Sequence, residues 1–418
     1  MTRPTRPTAP SAHAAHPHCA DPACGCGMSR RDWLRLSALG GAAAAPLLRL
    51  GDARAQGLKG DDAPVRVGYL PITDATPLLV AQGRGLFEAE GLRTEAPRLF
   101  RSWAQLVEAF VAGQVNVIHL LSPAALWMRY GSRFPAKIVA WNHVNGSALT
   151  VAPQIRRVED LGGQTVAVPF WYSIHNILLQ QLLRKAGLTA VTRPRDATLR
   201  ADEVRLLVLP PAEMVAALAA RSIAGFIVAE PFNAAAEIAG VGRVLRFSGD
   251  VWKDHACCVT VLTERDLVQR PEWAQRVTTA LVKAQLWARD NQLATSRLLS
   301  SSGEPRFTPH SVQALSKVLA ATDYAGYESA GVVRHKGWLQ RRIDFQPYPF
   351  PGYTEQLVRL LRETRVEGDA RFLAELDPAF VARDLVDTRF VRQALAAVGG
   401  PARFGLPADL ARHETVEP

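Results

Sequence analysis

The run Val65-Arg66-Val67-Gly68-Tyr69-Leu70-Pro71-Ile72-Thr73-Asp74-Ala75-Thr76-Pro77-Leu78-Leu79-Val80-Ala81-Gln82-Gly83-Arg84-Gly85-Leu86-Phe87-Glu88 passes from a short β-rich stretch through a polar turn into an amphipathic segment. It predicts a strand over Val65–Tyr69 and a helix over Pro77–Glu88. Outward from it the alternation continues, with a helix over Trp103–Ala112, a strand over Val115–His119 and further strands over Ala136–Trp141 and Ala148–Ala152. Strands separated by helices of this length are the mark of a mostly parallel sheet.

Pro153 and the Gly162-Gly163 turn interrupt the series, and a second one follows. Its strands are expected at Thr165–Val168, Val204–Leu209, Gly225–Val228 and Arg243–Phe247, and its helices at Ser173–Ala186, Ala212–Arg221 and Pro231–Ala239. After a strand over Cys257–Leu262 the chain becomes helical, at Pro271–Asp290, Pro309–Ala321, Thr354–Glu363 and Thr388–Val398. The expected organisation is α/β, with two lobes around a ligand cleft and extra C-terminal helices. Residues 56–152 form the first lobe and 153–252 the second; 253–345 return to the first lobe, and 346–418 are a helical extension. Ligands of such proteins sit between the lobes.

Residues 1–55 are set apart. Ser29-Arg30-Arg31-Asp32-Trp33-Leu34 leads into an Ala/Gly/Leu segment over Leu36–Leu48, and Ala53-Arg54-Ala55 offers the small side chains that a signal peptidase needs. The paired arginines resemble a twin-arginine address, read by the translocase that exports folded proteins. The apolar segment is shorter than the ~18 residues of a membrane span, so cleavage near Ala55 and a periplasmic mature chain are expected. Cys19, Cys24 and Cys26 lie near His13, His16 and His18, upstream of Met28, a second possible start. Such soft ligands could bind zinc or copper, but they hold no Cys-x-x-Cys pair and cleavage would discard them, so no metal is assigned.

The full chain carries 49 Lys+Arg against 39 Asp+Glu. Without residues 1–55 the balance is 42 to 36, a mild +6 that suits an anionic ligand but lacks the clustering that nucleic acid demands. Hydrophobic residues at 48% and charged ones at 21% are ordinary globular values. There is no Gly-x-Ser-x-Gly, His-Glu-x-x-His or phosphate loop. A binding module is therefore expected in place of an enzyme, with no cofactor and no metal.

Several runs resemble, in order, the nitrate-, bicarbonate- and cyanate-binding branch of ABC importer binding proteins, which is related to the taurine and sulfonate binders. They are Gly68–Ala75, Gly83-Arg84-Gly85-Leu86-Phe87, Asn145-Gly146, Pro210-Pro211-Ala212-Glu213-Met214, Glu230-Pro231-Phe232 and Trp252-Lys253-Asp254-His255. The resemblance covers residues 64–260 well and the C-terminal helices loosely. It implies a type II periplasmic binding fold, an ABC permease as partner, and ligand contacts at Trp103, His175, Lys253 and the Asn145-Gly146 loop. Ser147 stands where the nitrate binders have glutamine, and Ala104 where they commonly have glycine. Nitrate or a nitrate-like anion is the implied ligand, with sulfonate or taurine and bicarbonate or cyanate as alternatives. The fold is also similar to that of a thiamine-pyrimidine synthase with a histidine and a cysteine-rich iron motif, which Cys257-Cys258 matches only in part. An anion sensor is a third reading.

A buried planar anion needs donors in its plane and a compensating charge. Lys253 supplies that charge, or else is a solvated loop lysine. His175 falls in the first turn of a helix, where free N–H groups and the dipole favour anions. Trp103 follows Ser102 at a helix start and offers an indole N–H, and Ser147 offers a hydroxyl. Thr73, Asp74, Ser102, Pro211 and Glu230 are possible cleft-lining residues, with capping of the next helix as the default role of Glu230. Cys257 and Cys258 are adjacent and read as two buried thiols.

Overall fold

The computed structural model describes residues 63–320, 324–335, 337–338 and 341–418. The twin-arginine run, the Ala53-Arg54-Ala55 site and the Cys19/Cys24/Cys26 cluster lie outside the described residues.

Two sheets organise the chain. The first holds β1 (Val67–Tyr69), β2 (Arg98–Leu99), β3 (Val117–Leu121), β4 (Ala136–Trp141) and β12 (Cys258–Thr263), in the order β2-β1-β3-β12-β4. β1 runs parallel to β2 and β3, and β12 is antiparallel to β3 and β4. The second holds β6 (Ser147–Val151), β7 (Thr165–Val168), β8 (Thr189–Val191), β9 (Glu203–Val208), β10 (Gly225–Ala229) and β11 (Arg243–Phe247), in the order β11-β6-β10-β7-β9-β8. β7 to β10 are mutually parallel where they pair, and β6 is antiparallel to β10 and β11. Between the sheets, β5 (Val144–Asn145) pairs with β13 (Ile343–Asp344).

The central strands read as continuous apolar runs because helices cover both of their faces. All five residues of β3 and of β10 are buried. At Gly68 an added Cβ would lie 2.7 Å from Leu106 Cδ1, so the absent side chain lets the helix Trp103–Val111 lie directly on β1. That helix begins on the Ser102 side chain, which accepts from the Gln105 N–H, a cap worth about 1 kcal/mol.

One element sits differently from the sequence expectation. The strand at 147–151, placed in the first lobe above, pairs with β10 and β11 of the second sheet. The chain therefore crosses between sheets before Ser147, and it crosses back between Phe247 and Cys258. Periodicity identifies a strand but not the sheet it joins.

The C-terminal segments return to the first sheet. The twenty-residue helix Pro271–Asp290 packs on Thr76–Gly83 and on Arg389–Ala397, and Val386 bridges to Ile138 of β4. The last described residues are stitched to the return crossover. Val416 bridges Trp252, the Glu417 N–H donates to the Val251 carbonyl, and the Trp252 indole donates to Glu414 at 2.8 Å.

Candidate functional site

The two sheets meet at a group of fully enclosed polar side chains. From the first come Asp74, in the turn after β1, His119 on β3, and Cys257 and Cys258 where the chain enters β12. From the second come Ser147, the first residue of β6, and His175, in the first turn of the helix Ile174–Lys185. Ser173 caps that helix by accepting from the Asn176 N–H at 3.1 Å, which fixes where His175 stands. His143, between β4 and β5, and His255, on the return crossover, complete the group. None of the eight is more than 2% exposed.

On the second sheet's side, Ser147 Oγ lies 2.9 Å from His175 Nε2. Contacts also cross from one sheet to the other: Cys257 Sγ lies 3.7 Å from that nitrogen and 4.0 Å from the hydroxyl. A second clasp forms nearby, where the Thr73 N–H and hydroxyl both donate to the Glu230 carbonyl, at 2.9 and 3.0 Å. The lobes are thus in direct contact at the site.

Burial opposes the charge on His143, but the Asp74 carboxylate outweighs it and holds the imidazole at about 10. Burial pushes Asp74 up most strongly, but His143, the Cys258 thiol and His119 together hold it below the usual carboxylate range. His119 is driven down to about 3 by burial; its Nε2 accepts from the Leu70 N–H at 2.9 Å. His255 is pushed well down by burial and then by His143 and His175. Burial resists ionisation of both thiols. A hydrogen bond from Cys258 and the nearby His175 nonetheless lower Cys257, while Cys258, sharing its proton with that sulfur beside Asp74, is raised.

His143 Nε2 has two competing partners. It lies 2.9 Å from Asp74 Oδ2 and 3.3 Å from the N–H of Cys258. A protonated Nε2 donates to Asp74; a bare one accepts from Cys258 and leaves both Asp74 oxygens without a hydrogen-bond partner. The geometry favours the protonated form, in line with the raised basicity of the ring.

The site residues expected from the sequence fare unevenly. Ser147 and His175 are brought together, with Asp74 close to their Cys257 neighbour. Trp103 is 2% exposed, its ring 5.3 Å from His119, and its Nε1 donor has no protein partner. The Asn145-Gly146 loop takes up left-handed backbone, φ 60° and 78°, and its N–H groups are spent on the carbonyls of His255 and Arg342. The Asn145 amide points at Asp254. Thr73 and Glu230 form the clasp, and Glu230 Oε2 also accepts from the Ala234 N–H, the capping role expected of it. Ser102 caps, and Pro211 begins the helix Pro211–Ala219.

Lys253 is not brought to this group. It is exposed, and its N–H donates to the Thr415 carbonyl. Pairing with the 414–417 segment turns neighbouring side chains to opposite sides, so Trp252 is buried and Lys253 faces water. The solvated-loop alternative is the one observed. Sequence reasoning missed His143, His119 and His255. Nothing local marks His143 except its place just ahead of Asn145-Gly146.

The NMT1-like family model matches residues 59–299, more than half of the 418-residue chain. The chain belongs to the NMT1-like family. This NMT1-like chain is 26% identical over 265 residues to the nitrate/nitrite binding protein NrtA of Nostoc sp., covering 58% of each. It is 30% identical over 298 residues to the nitrate import ATP-binding protein NrtC of Synechococcus elongatus, covering 67% of this chain and 40% of that one. It therefore spans less than two thirds of these relatives. Among solved structures, the periplasmic nitrate-binding protein NrtA from Synechocystis superposes with a TM-score of 0.69 at 20% identity, over 84% of this chain and 93% of that one. The fold is that of the type II periplasmic binding proteins. Among the described residues, no helix is long and apolar enough to cross a membrane.

Proposed function

We propose that the chain is the exported solute-binding component of an ABC importer, which closes its two lobes on a small inorganic anion, nitrate or nitrate-like, and delivers it to a permease in the inner membrane. One observation carries the anion reading. A hydroxyl and an imidazole, Ser147 and His175, sit 2.9 Å apart at the N-terminus of a twelve-residue helix, where the two lobes meet. Helix N-termini favour anions through their free N–H groups and dipole. The buried, unpartnered Trp103 Nε1 is a further donor in want of an acceptor. The similarity to proteins named as nitrate/nitrite binders supports the same class.

With Lys253 in water, no lysine among the described residues stands in the group at the join. The free N–H groups and dipole at the start of the helix Ile174–Lys185 carry the compensating role. Export through the twin-arginine route and cleavage near Ala55 rest on the Arg30-Arg31 and Ala53-Arg54-Ala55 runs, and a binding role in place of catalysis rests on the missing nucleophile motifs and on the family.

Calorimetry of the processed protein against nitrate, nitrite, bicarbonate, cyanate, taurine and alkanesulfonates tests the reading. Nitrate binding with one site per chain is the expected result. Preference for a sulfonate would follow if Ser147, shorter than the glutamine of the nitrate binders, leaves room for a larger head group. If none of the six binds, the anion reading is wrong.

A further inference from the structure

Beyond the anion reading, the floor of the join carries a set of ligating atoms that the anion site does not use. We propose that Asp74, His143, Cys257 and Cys258 form a binding site for one borderline or soft divalent transition-metal ion, with zinc as the reference cation.

One oxygen, one nitrogen and two sulfurs from these residues lie within 4.8 Å of one another. All four side chains are completely buried. They come from three separate stretches: the turn after β1, the connection between β4 and β5, and the bend before β12. That bend turns the sulfurs of two successive residues to the same side, where a regular strand would send them to opposite faces.

Tetrahedral zinc with bonds of about 2.0–2.3 Å sets neighbouring ligand atoms about 3.3–3.8 Å apart. Side-chain movements of up to about 1 Å therefore close the set on an ion. A mixed sulfur, imidazole and carboxylate shell suits zinc or cobalt better than calcium or magnesium, which take oxygen.

The second observation is the unsettled bonding of these groups. One acceptor, Asp74 Oδ2 at 2.9 Å, and one donor, the Cys258 N–H at 3.3 Å, crowd the single His143 Nε2, and in either arrangement the buried Asp74 Oδ1 has no hydrogen-bond partner. An orphaned buried carboxylate oxygen is rare, and a bound ion is one of its few explanations. A cation bonded to Nε2 and to Asp74 replaces the contested proton and satisfies both groups.

All four ligands stand on the first-lobe side of the join, and His175 with Ser147 closes over them from the second. An ion held by one carboxylate, two thiolates and a neutral imidazole has its four positions filled by protein and a net charge of about −1. It would not bind an anion itself, and it would weaken anion binding beside it.

The test uses the full chain with Cys19, Cys24 and Cys26 replaced by serine, which leaves Cys257 and Cys258 as the remaining thiols. It is reduced, stripped with chelator and titrated with cobalt(II). The expected result is one equivalent bound, with sulfur-to-cobalt charge-transfer absorption that zinc abolishes. Cys257→Ser and Cys258→Ser should each weaken binding at least 100-fold, and Asp74→Asn at least 10-fold. If a serine variant does not fold, X-ray absorption on the zinc-loaded unsubstituted site decides, with two sulfur neighbours expected. No stoichiometric binding, or a metal shell without sulfur, overturns the proposal. Nitrate calorimetry with and without zinc separates the two readings, because an anion that binds the stripped chain survives the loss of the metal site.

Discussion

Arg342→Met is the most informative single change outside the join. The Arg342 side chain is fully buried and pairs with Glu230 Oε1 at 3.0 Å and with Glu237 Oε2 at 2.6 Å, and the Tyr327 hydroxyl lies against it. Glu230 is 1% exposed and follows β10, while Arg342 precedes β13, so the pair ties the second lobe to the strip between the sheets. Removing one member of a buried pair costs about 3–5 kcal/mol, since the remaining charge keeps its desolvation penalty. Burial already pushes Glu230 above its ordinary value despite the opposing pull of Arg342. In the variant the carboxyl takes up a proton, which limits the loss to the lower end, about 3 kcal/mol at neutral pH. The sign of the pH dependence follows. A folded pKa above the unfolded one means that the folded state retains a proton, so stability falls as pH rises from about 4.3 toward the raised folded value. Urea unfolding followed by circular dichroism measures both effects. Adding Glu230→Gln should recover part of the loss, with a coupling of about 2 kcal/mol. A loss below about 1 kcal/mol, or a double variant equal to the sum of the singles, would refute the reasoning.

Other outcomes follow from the site and its supports. His175→Ala and Ser147→Ala should each weaken anion binding about tenfold or more, whereas Lys253→Ala should leave it within about twofold; calorimetry that finds Lys253 indispensable would return it to the site. Trp103→Phe removes a buried donor without a partner, so the ligand-free protein should gain up to about 1 kcal/mol in stability while anion affinity drops several-fold. A variant unchanged in both would show that this N–H faces no ligand. Asp384 accepts from Arg129 and from the Tyr130 hydroxyl, and is held at about 2. Its stabilisation is present above its unfolded value near 4 and is lost as pH falls toward 2, so Asp384→Asn should flatten acid destabilisation in that window, by about 1 kcal/mol once solvent screening of this part-exposed pair is allowed for.

Local pattern made much of the fold legible. Pro271–Asp290 begins and ends where its proline and its periodicity place it, and Thr165–Val168 and Arg243–Phe247 agree to the residue. The two-residue strands β5 and β13 leave no periodic trace, because two residues cannot show alternation. The site was legible only where local chemistry and resemblance coincided. Ser173 announces the helix that positions His175, and Asn145-Gly146 points to Ser147. The set formed by Asp74, His143 and the two cysteines joins residues 69 and 115 positions apart, so its meaning appears only once β1, β4 and β12 share one sheet. Lys253 misled for the opposite reason: its place in a matching run says nothing of the 414–417 segment that turns it to water.

That same segment makes the chain's far end a lever. One of the two passages between the sheets, residues 248–257, carries a partner strip pinned at Val251, Trp252 and Lys253. Bending there must drag the strip along or peel it away. A reporter attached beside Glu417 would therefore sense the lobes parting, far along the sequence from Ser147 and His175.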